Sequence, residues 1–348
     1  MANKNIKPVI TYTISFLIAI GLMAYVFKDI EMTDMVSRLK NLDYSWIILS
    51  IALSIISHIA RAYRWNILIK PLGFSLSVYR TFLAVMIGYF ANLLVPRMGE
   101  VTKCAILKRT DNVPITLSLG TVVAERFLDF IVLMSLLLFT FLIEYNLLKE
   151  YLLGFFSSKA SGVGENLMGI YIMGGLFFTI LLVLTIYGKK IFKKLKSLSF
   201  YNKLNNFIKE MCAGLMSIRT IDNKFGFWSS TLLIWVLYYL MAYVVFFSLP
   251  QTAGLGYMAG LTILVMGGLG MAAPVQGGIG TYHALVSSVL VLYGILETDG
   301  VLFATVLHTS QTLAVLLVGG LCLLIISFNK RAVLAEDVKK ETNVQQKR

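Results

Sequence analysis

Two apolar segments, each interrupted by glycine, proline and polar side chains, constrain this chain more than any other feature. The first reads GYFANLLVPRMGEV from Gly88 to Val101, and the second MGGLGMAAPVQGGIGTYH from Met266 to His283. Hydrocarbon offers no partner to a free N–H or C=O, so backbone released from helix at bilayer depth must be buried in protein or line a watery cavity. Interrupted segments at matching places in two halves point to the substrate site of a transporter-like inverted repeat.

The rest of the chain supplies the membrane setting. Of its 348 residues 57% are hydrophobic and only 14% charged, with mean hydropathy +0.78. Soluble domains carry about 25% charge, which excludes that class. The net charge of +13 does not indicate nucleic acid, because the basic residues lie in short loops between apolar runs and no soluble basic module is present to dock on a groove. Cys104, Cys212 and Cys322 show neither a pairing pattern nor metal spacing and read as free thiols.

Apolar runs of span length or near it cover Val9–Phe27, Trp46–Ala60, Tyr79–Val95, Thr116–Ile143, Leu167–Tyr187, Phe227–Leu249, Gly256–Ala273, Ile279–Tyr293 and Val301–Phe328. The first reads as a retained span, since no convincing small-residue cleavage site follows it. Lysine and arginine near span ends stay in the cytoplasm. The linker 188–226 holds nine basic residues against Glu210 and Asp222, a net +7, and is placed inside, as are the N-terminus and the polar tail 329–348. Both flanks of the first interrupted segment are basic, with Arg61, Arg64, Lys70 and Arg80 before it and Arg97, Lys103, Lys108 and Arg109 after it. A re-entrant hairpin from the cytoplasm satisfies both flanks. The second interrupted region then starts and finishes outside. The expected fold is an all-α integral membrane protein, a polytopic helical bundle forming one transmembrane domain over 1–348, with two re-entrant regions in the pattern of an inverted repeat. Irregular helix breaks packed in a core remain an alternative account of both segments.

Charged groups within apolar runs cost about 2.5–3.5 kcal/mol each on insertion scales and need partners or water. Glu125 and Asp129 are four apart and share a helix face, with Arg126 three before Asp129. Two acids need cations from elsewhere, and Arg61, Arg64 and Arg97 are available. The triplet serves either as interhelical glue or in handling a headgroup. Arg61, Arg64 and Trp65 fall on one face and read as the cytoplasmic end of the second span. There they act either as a bidentate phosphate contact or as a snorkelling anchor. Glu100 is placed to bridge Arg97 across the turn or to meet a cationic headgroup, and Asn92 to cap a half-helix whose N–H groups face an anion. Gly277, Gly278 and Gly280 permit positive φ, while Gln276, Tyr282, His283 and His308 supply polar atoms. The Gly-Gly-Ile-Gly run lacks the lysine and hydroxyl of a nucleotide loop. The three histidines, His58, His283 and His308, lack metal spacing, so no cofactor is expected.

Taken together, Arg61 with Arg64-Trp65, Asn92 through Pro96 to Gly99-Glu100, Glu125-Arg126 with Asp129, and Pro274 with Gly277-Gly278-Ile279-Gly280 resemble the transmembrane region of lysylphosphatidylglycerol synthases. That flippase-like family includes the lipid-flipping half of the multiple peptide resistance factor. The resemblance runs from about Trp46 to Phe328 and implies an inner-membrane protein that moves or binds phospholipid or lipid-linked headgroups. His283 stands where such families often carry a glutamate. The short stretch after the last span leaves no expected room for an aminoacyl-transfer domain, so synthesis of lysyl-lipid is not expected. A lipid flippase is therefore the leading expectation. A membrane transferase with a lipid-linked donor, with Glu125 or Asp129 as base, and a noncatalytic subunit recruiting a cytoplasmic partner through the basic linker are the alternatives.

Overall fold

The structure is a computed structural model, and it describes residues 17, 20–28, 30, 32–95, 97–145, 149, 209–273 and 275–345, with side chains as far as residue 328. Most of the expected first span, the whole of the expected span Leu167–Tyr187 and the linker up to residue 208 lie outside the described residues. Nine helices carry the argument: α1 Met32–Lys40, α2 Tyr44–Ile69, α3 Val78–Leu94, α4 Gly99–Asp111, α5 Ile115–Ile143, α6 Lys224–Val245, α7 Tyr257–Ala272, α8 Thr281–Leu292 and α9 Glu297–Gln345. Among the described residues, four stretches are long and apolar enough to cross a bilayer: Tyr44–Leu72, Ile115–Ile143, Lys224–Ser248 and Glu297–Phe328. The protein is an all-helical, multi-pass membrane bundle.

Local sequence fixes the ends of these helices. Asp43 caps α2 by accepting from Ser45 N at 3.0 Å, Ser77 caps α3 through Arg80 N, and Asn223 caps α6 through Gly226 N at 2.8 Å. Asn112 in the left-handed conformation ends α4, and Pro114 immediately precedes α5, where a proline without an N–H is tolerated.

The order long, short, short, long occurs twice, as α2 to α5 and as α6 to α9. Each α3–α4 and α7–α8 pair forms a hairpin of two half-length helices, at the two places where the sequence is interrupted. The packing repeats as well. α2 packs on α3 as α6 does on α7, α5 on α4 as α9 does on α8, and the exchange continues between halves, with α3 against α9 and α7 against α5. The two halves meet along α2 and α6, which run antiparallel: Asp43 N donates to Ser248 O, Ser50 Oγ to Met241 O at 2.8 Å, and Arg64 to Thr231, while Asn223 donates to the hydroxyl of Tyr63. Antiparallel partners related by exchange give the bundle the pseudo-symmetry of an inverted repeat.

Small residues let the hairpins close. A Cβ on Gly99 would stand 2.2 Å from Gly88 O, and one on Gly88 would stand 2.9 Å from Gly99 O, so α3 and α4 touch through bare backbone. The apolar core divides into two main bodies. One gathers Phe246, Ile263, Val286, Leu290 and Phe303 around α6 to α9; the other gathers Trp65, Leu68, Val85, Leu107 and Phe227 around α2 to α5.

Candidate functional site

α2 does not end at Ala60. It continues unbroken to Ile69 and carries Arg61 and Arg64 into the protein, where they are 3% and 0% exposed, beside a fully buried Trp65. The expected interfacial end of a span is thus corrected. A snorkelling anchor needs its head in water, and these heads are enclosed by α5, α6 and α4 instead.

Their partners are the two acids on α5. Arg61 Nη1 donates to Glu125 Oε1 and to Asp129 Oδ2, both at 2.9 Å, and Arg64 Nη2 donates to Glu125 Oε1 at 3.1 Å and Asp129 Oδ1 at 2.8 Å. The four-residue spacing of Glu125 and Asp129 presents both carboxylates to the same two guanidinium groups, which stand on adjacent turns of α2. Glu125 Oε2 accepts from Lys103 Nζ at 3.0 Å, and that ammonium lies 4.3 Å from the centre of the Trp65 ring. Trp65 in turn donates from Nε1 to Thr121 Oγ1 at 2.9 Å, and Arg61 Nη2 reaches the Tyr238 hydroxyl at 2.9 Å. Three helices, α2, α4 and α5, are joined through one buried carboxylate.

Beside this cluster lies the first interruption. Asn92 Oδ1 accepts from Gly99 N at 2.6 Å, so the side chain at the end of α3 caps the start of α4. Asn92 does act as a cap, as expected, and it occupies the N–H rather than leaving it for an anion. Glu100 Oε1 pairs with Arg126 Nη2 at 3.0 Å. Arg97 is exposed, holds a positive φ of 60° at the tip, and joins no ion pair among the described residues. The expected Glu100–Arg97 bridge is therefore replaced by Glu100–Arg126. Tyr89, Asn92, Glu100, Lys103 and Arg126 surround a cavity of about 10 Å³, room for a single water. Glu100 Oε2, Arg61 Nε and Arg64 Nε are buried without a hydrogen-bond partner among the described residues.

At the second interruption Gly277, Gly278 and Gly280 hold φ of 58°, 71° and 85°, conformations that L side chains rarely adopt. His308 Nε2 meets Gly277 O at 2.8 Å, Gly280 N donates to His283 Nδ1 at 3.4 Å, and the two imidazole rings stand 4.9 Å apart with Tyr282 packed against both. The two interruptions meet. Gln276 Nε2 donates to Leu93 O at 2.8 Å and Leu94 O at 3.2 Å, supplying donors to the final carbonyls of α3 that its own helix leaves empty. The candidate residues thus form a charged group (Arg61, Arg64, Glu125, Asp129) adjoining Asn92, Glu100 and Arg126, and a neutral group (Gln276, Gly277, Gly278, Gly280, Tyr282, His283, His308) that touches the first hairpin at its tip.

Residues 12–319 match the family described as the lysylphosphatidylglycerol synthase TM region. The chain belongs to this family. Two archaeal relatives of the family member are similar. It is 33% identical over 142 residues to the UPF0104 membrane protein MJ1595 of Methanocaldococcus jannaschii, a match covering 40% of this chain and 41% of that protein. It is 26% identical over 276 residues to the UPF0104 membrane protein PH1989 of Pyrococcus horikoshii, covering 73% of this chain and 78% of that one. The match to the first of these relatives therefore takes in less than half of its length. No solved structure matches the chain.

Sequence reasoning missed several members of the site. Lys103 sits among basic residues that read as a loop flank, and its signal was only its spacing from Gly99 and Glu100 on a short helix. A buried polar line along α2, formed by Ser50, Ser54, Ser57 and His58, leads from Gln311 on α9 toward Arg61. Serines scarcely alter hydropathy, so only their three-and-four spacing marks them.

Proposed function

We propose that this protein moves a phosphate-bearing lipid headgroup across the bilayer core, with the two hairpins acting as opposed gates. The observation that carries this reading is the direct contact of the hairpin tips through Gln276, beside a cluster of charges buried between the span-length helices α2 and α5. Ionisable groups inside a membrane are costly and by default mark a pathway. Half-length helices with freed backbone are the elements from which transporters build midplane sites. Membership of the lysylphosphatidylglycerol synthase TM family supports a lipid as the cargo.

The cavity at the first hairpin has room for only about one water, so this conformation is closed to a headgroup. Opening requires Gln276 to leave the α3 carbonyls and the hairpins to part. Arg61 and Arg64 hold their carboxylates in the closed form; a guanidinium pair on adjacent turns is suited to bidentate contact with phosphate when those partners rearrange. The path needs no nucleotide, and movement is passive or driven by a gradient. The test is headgroup-labelled lipid exchange in vesicles reconstituted with the full chain. Exchange above the protein-free rate, reduced by Glu125→Gln and raised by Gln276→Leu in correctly folded protein, is expected. Exchange at the protein-free rate for anionic, zwitterionic and cationic headgroups alike refutes the reading.

A further inference from the structure

The cluster at the first hairpin is unequal in charge. Arg61, Arg64, Lys103 and Arg126 face three carboxylates, Glu100, Glu125 and Asp129. The three acids are not held alike. Glu125 receives three cationic donors and Asp129 two, whereas Glu100 is bound by Arg126 alone through Oε1, and its Oε2 is buried without a donor. A buried carboxylate oxygen lacking a donor makes that carboxylate the easiest of the three to displace. It lies on the wall of the cavity shared with Lys103 and Arg126, which is too small for a phosphate unless Glu100 moves out. Arg97, exposed at the tip, is a cation three residues away along the chain that joins no ion pair among the described residues.

We infer that Lys103 and Arg126 form a phosphate-anion site at the first hairpin, and that the Glu100 carboxylate occupies it as a tethered competitor in the closed protein. The inference deepens the translocation reading by fixing the charge of the cargo. The two better-held carboxylates are saturated by cations, so the cluster favours an anionic headgroup and offers no free acid for an ammonium. Entry of phosphate transfers Glu100 from Arg126 to Arg97, and a monoanionic phosphodiester then takes the place of that carboxylate, so that four cations face three anions as they did before.

The experiment uses the full chain in uncharged maltoside micelles, titrated in separate arms with sodium phosphate, dioctanoyl phosphatidylglycerol and dioctanoyl phosphatidylcholine. Trp65 fluorescence reports on the neighbouring Lys103, and Trp65→Phe provides the blank. The expected result is binding of phosphatidylglycerol that tightens about tenfold in Glu100→Gln, because an internal competitor lowers apparent affinity by the fraction of time it fills the site. Arg126→Gln and Lys103→Gln each abolish the response. Binding of free phosphate with the same ranking of variants keeps the site and assigns it to soluble anions. Equal or weaker binding in Glu100→Gln, or a stronger response to phosphatidylcholine than to phosphatidylglycerol, overturns the inference; so does absence of binding in every arm. A thermal midpoint for each variant controls for folding, and Glu100→Ala must follow Glu100→Gln if a competitor rather than a scaffold has been removed. Vesicle exchange at the protein-free rate with this binding intact would refute translocation alone. Exchange indifferent to Glu100 would refute the anion site alone.

Discussion

Replacing Glu125 by glutamine tests whether the three-helix cluster is a structural centre of the first half. The carboxylate is fully buried; Oε1 accepts from Arg61 at 2.9 Å and Arg64 at 3.1 Å, and Oε2 from Lys103 at 3.0 Å. Glutamine keeps the shape and removes the charge, and its amide nitrogen must then point at either the ammonium or the guanidinium pair. Every neighbour is a donor, so neither orientation relieves the clash. Breaking a buried pair in this way costs about 3–5 kcal/mol, since the cations left behind remain desolvated. We expect Glu125→Gln to lose about 4 kcal/mol in reversible unfolding from mixed micelles. Adding Lys103→Met removes the donor facing the amide, so the double variant should recover about 1–3 kcal/mol relative to additivity. A loss below about 1 kcal/mol, the value of a solvated surface pair, would refute the claim that these charges are buried and mutually dependent.

Other perturbations separate the remaining features. Gly99→Ala places a Cβ 2.2 Å from the Gly88 carbonyl, so we expect a loss of at least about 3 kcal/mol in the same unfolding titration, or no folded protein at all. Gly73→Ala, at φ 90° with open space around it, should cost only about 1–2 kcal/mol through backbone strain. Gln276→Leu leaves the Leu93 and Leu94 carbonyls without their donor and should cost about 1–3 kcal/mol, with faster maleimide labelling of a cysteine introduced at Leu93. Arg80→Ala removes an ion pair with Asp111 whose arginine side chain is 58% exposed, and should change stability by less than about 1 kcal/mol.

The parts of this fold legible in the sequence are those that perturb hydropathy. The two interruptions stand out because glycine, proline and amides interrupt runs of leucine, valine and phenylalanine. The basic flanks on both sides of the first one required a hairpin, which α3 and α4 form. Glu125 and Asp129 announced a need for outside cations, and Arg61 and Arg64 were rightly among the candidates. Three-dimensional choice was less visible. Which cation an acid takes depends on helix rotation, so Arg97 was named as a partner on paper and Lys103 was not, although it is Lys103 that reaches Glu125 from α4. The end of α2 was misread because Arg61 and Arg64 lower local hydropathy as an interface does, while their burial comes from partners far along the chain. Gln276 was read as a polar atom of its own loop, and no local pattern could reveal that its partners are carbonyls in the other half.

The near-equivalence of the two halves makes their chemical difference informative. His308 stands about as far into α9 as Glu125 does into α5, yet it meets a backbone carbonyl where Glu125 meets three cations. The hairpin 257–292 contains no aspartate, glutamate, lysine or arginine, whereas 78–111 contains Arg80, Arg97, Glu100, Lys103, Lys108, Arg109 and Asp111. Two hairpins of matching build therefore present unlike fields to a charged visitor: an excess of positive charge at one and dipoles alone at the other. Added salt should screen approach through the first hairpin and leave the second almost untouched. The bias in lysine and arginine between the two hairpins thus makes the interior of the bundle electrically one-sided.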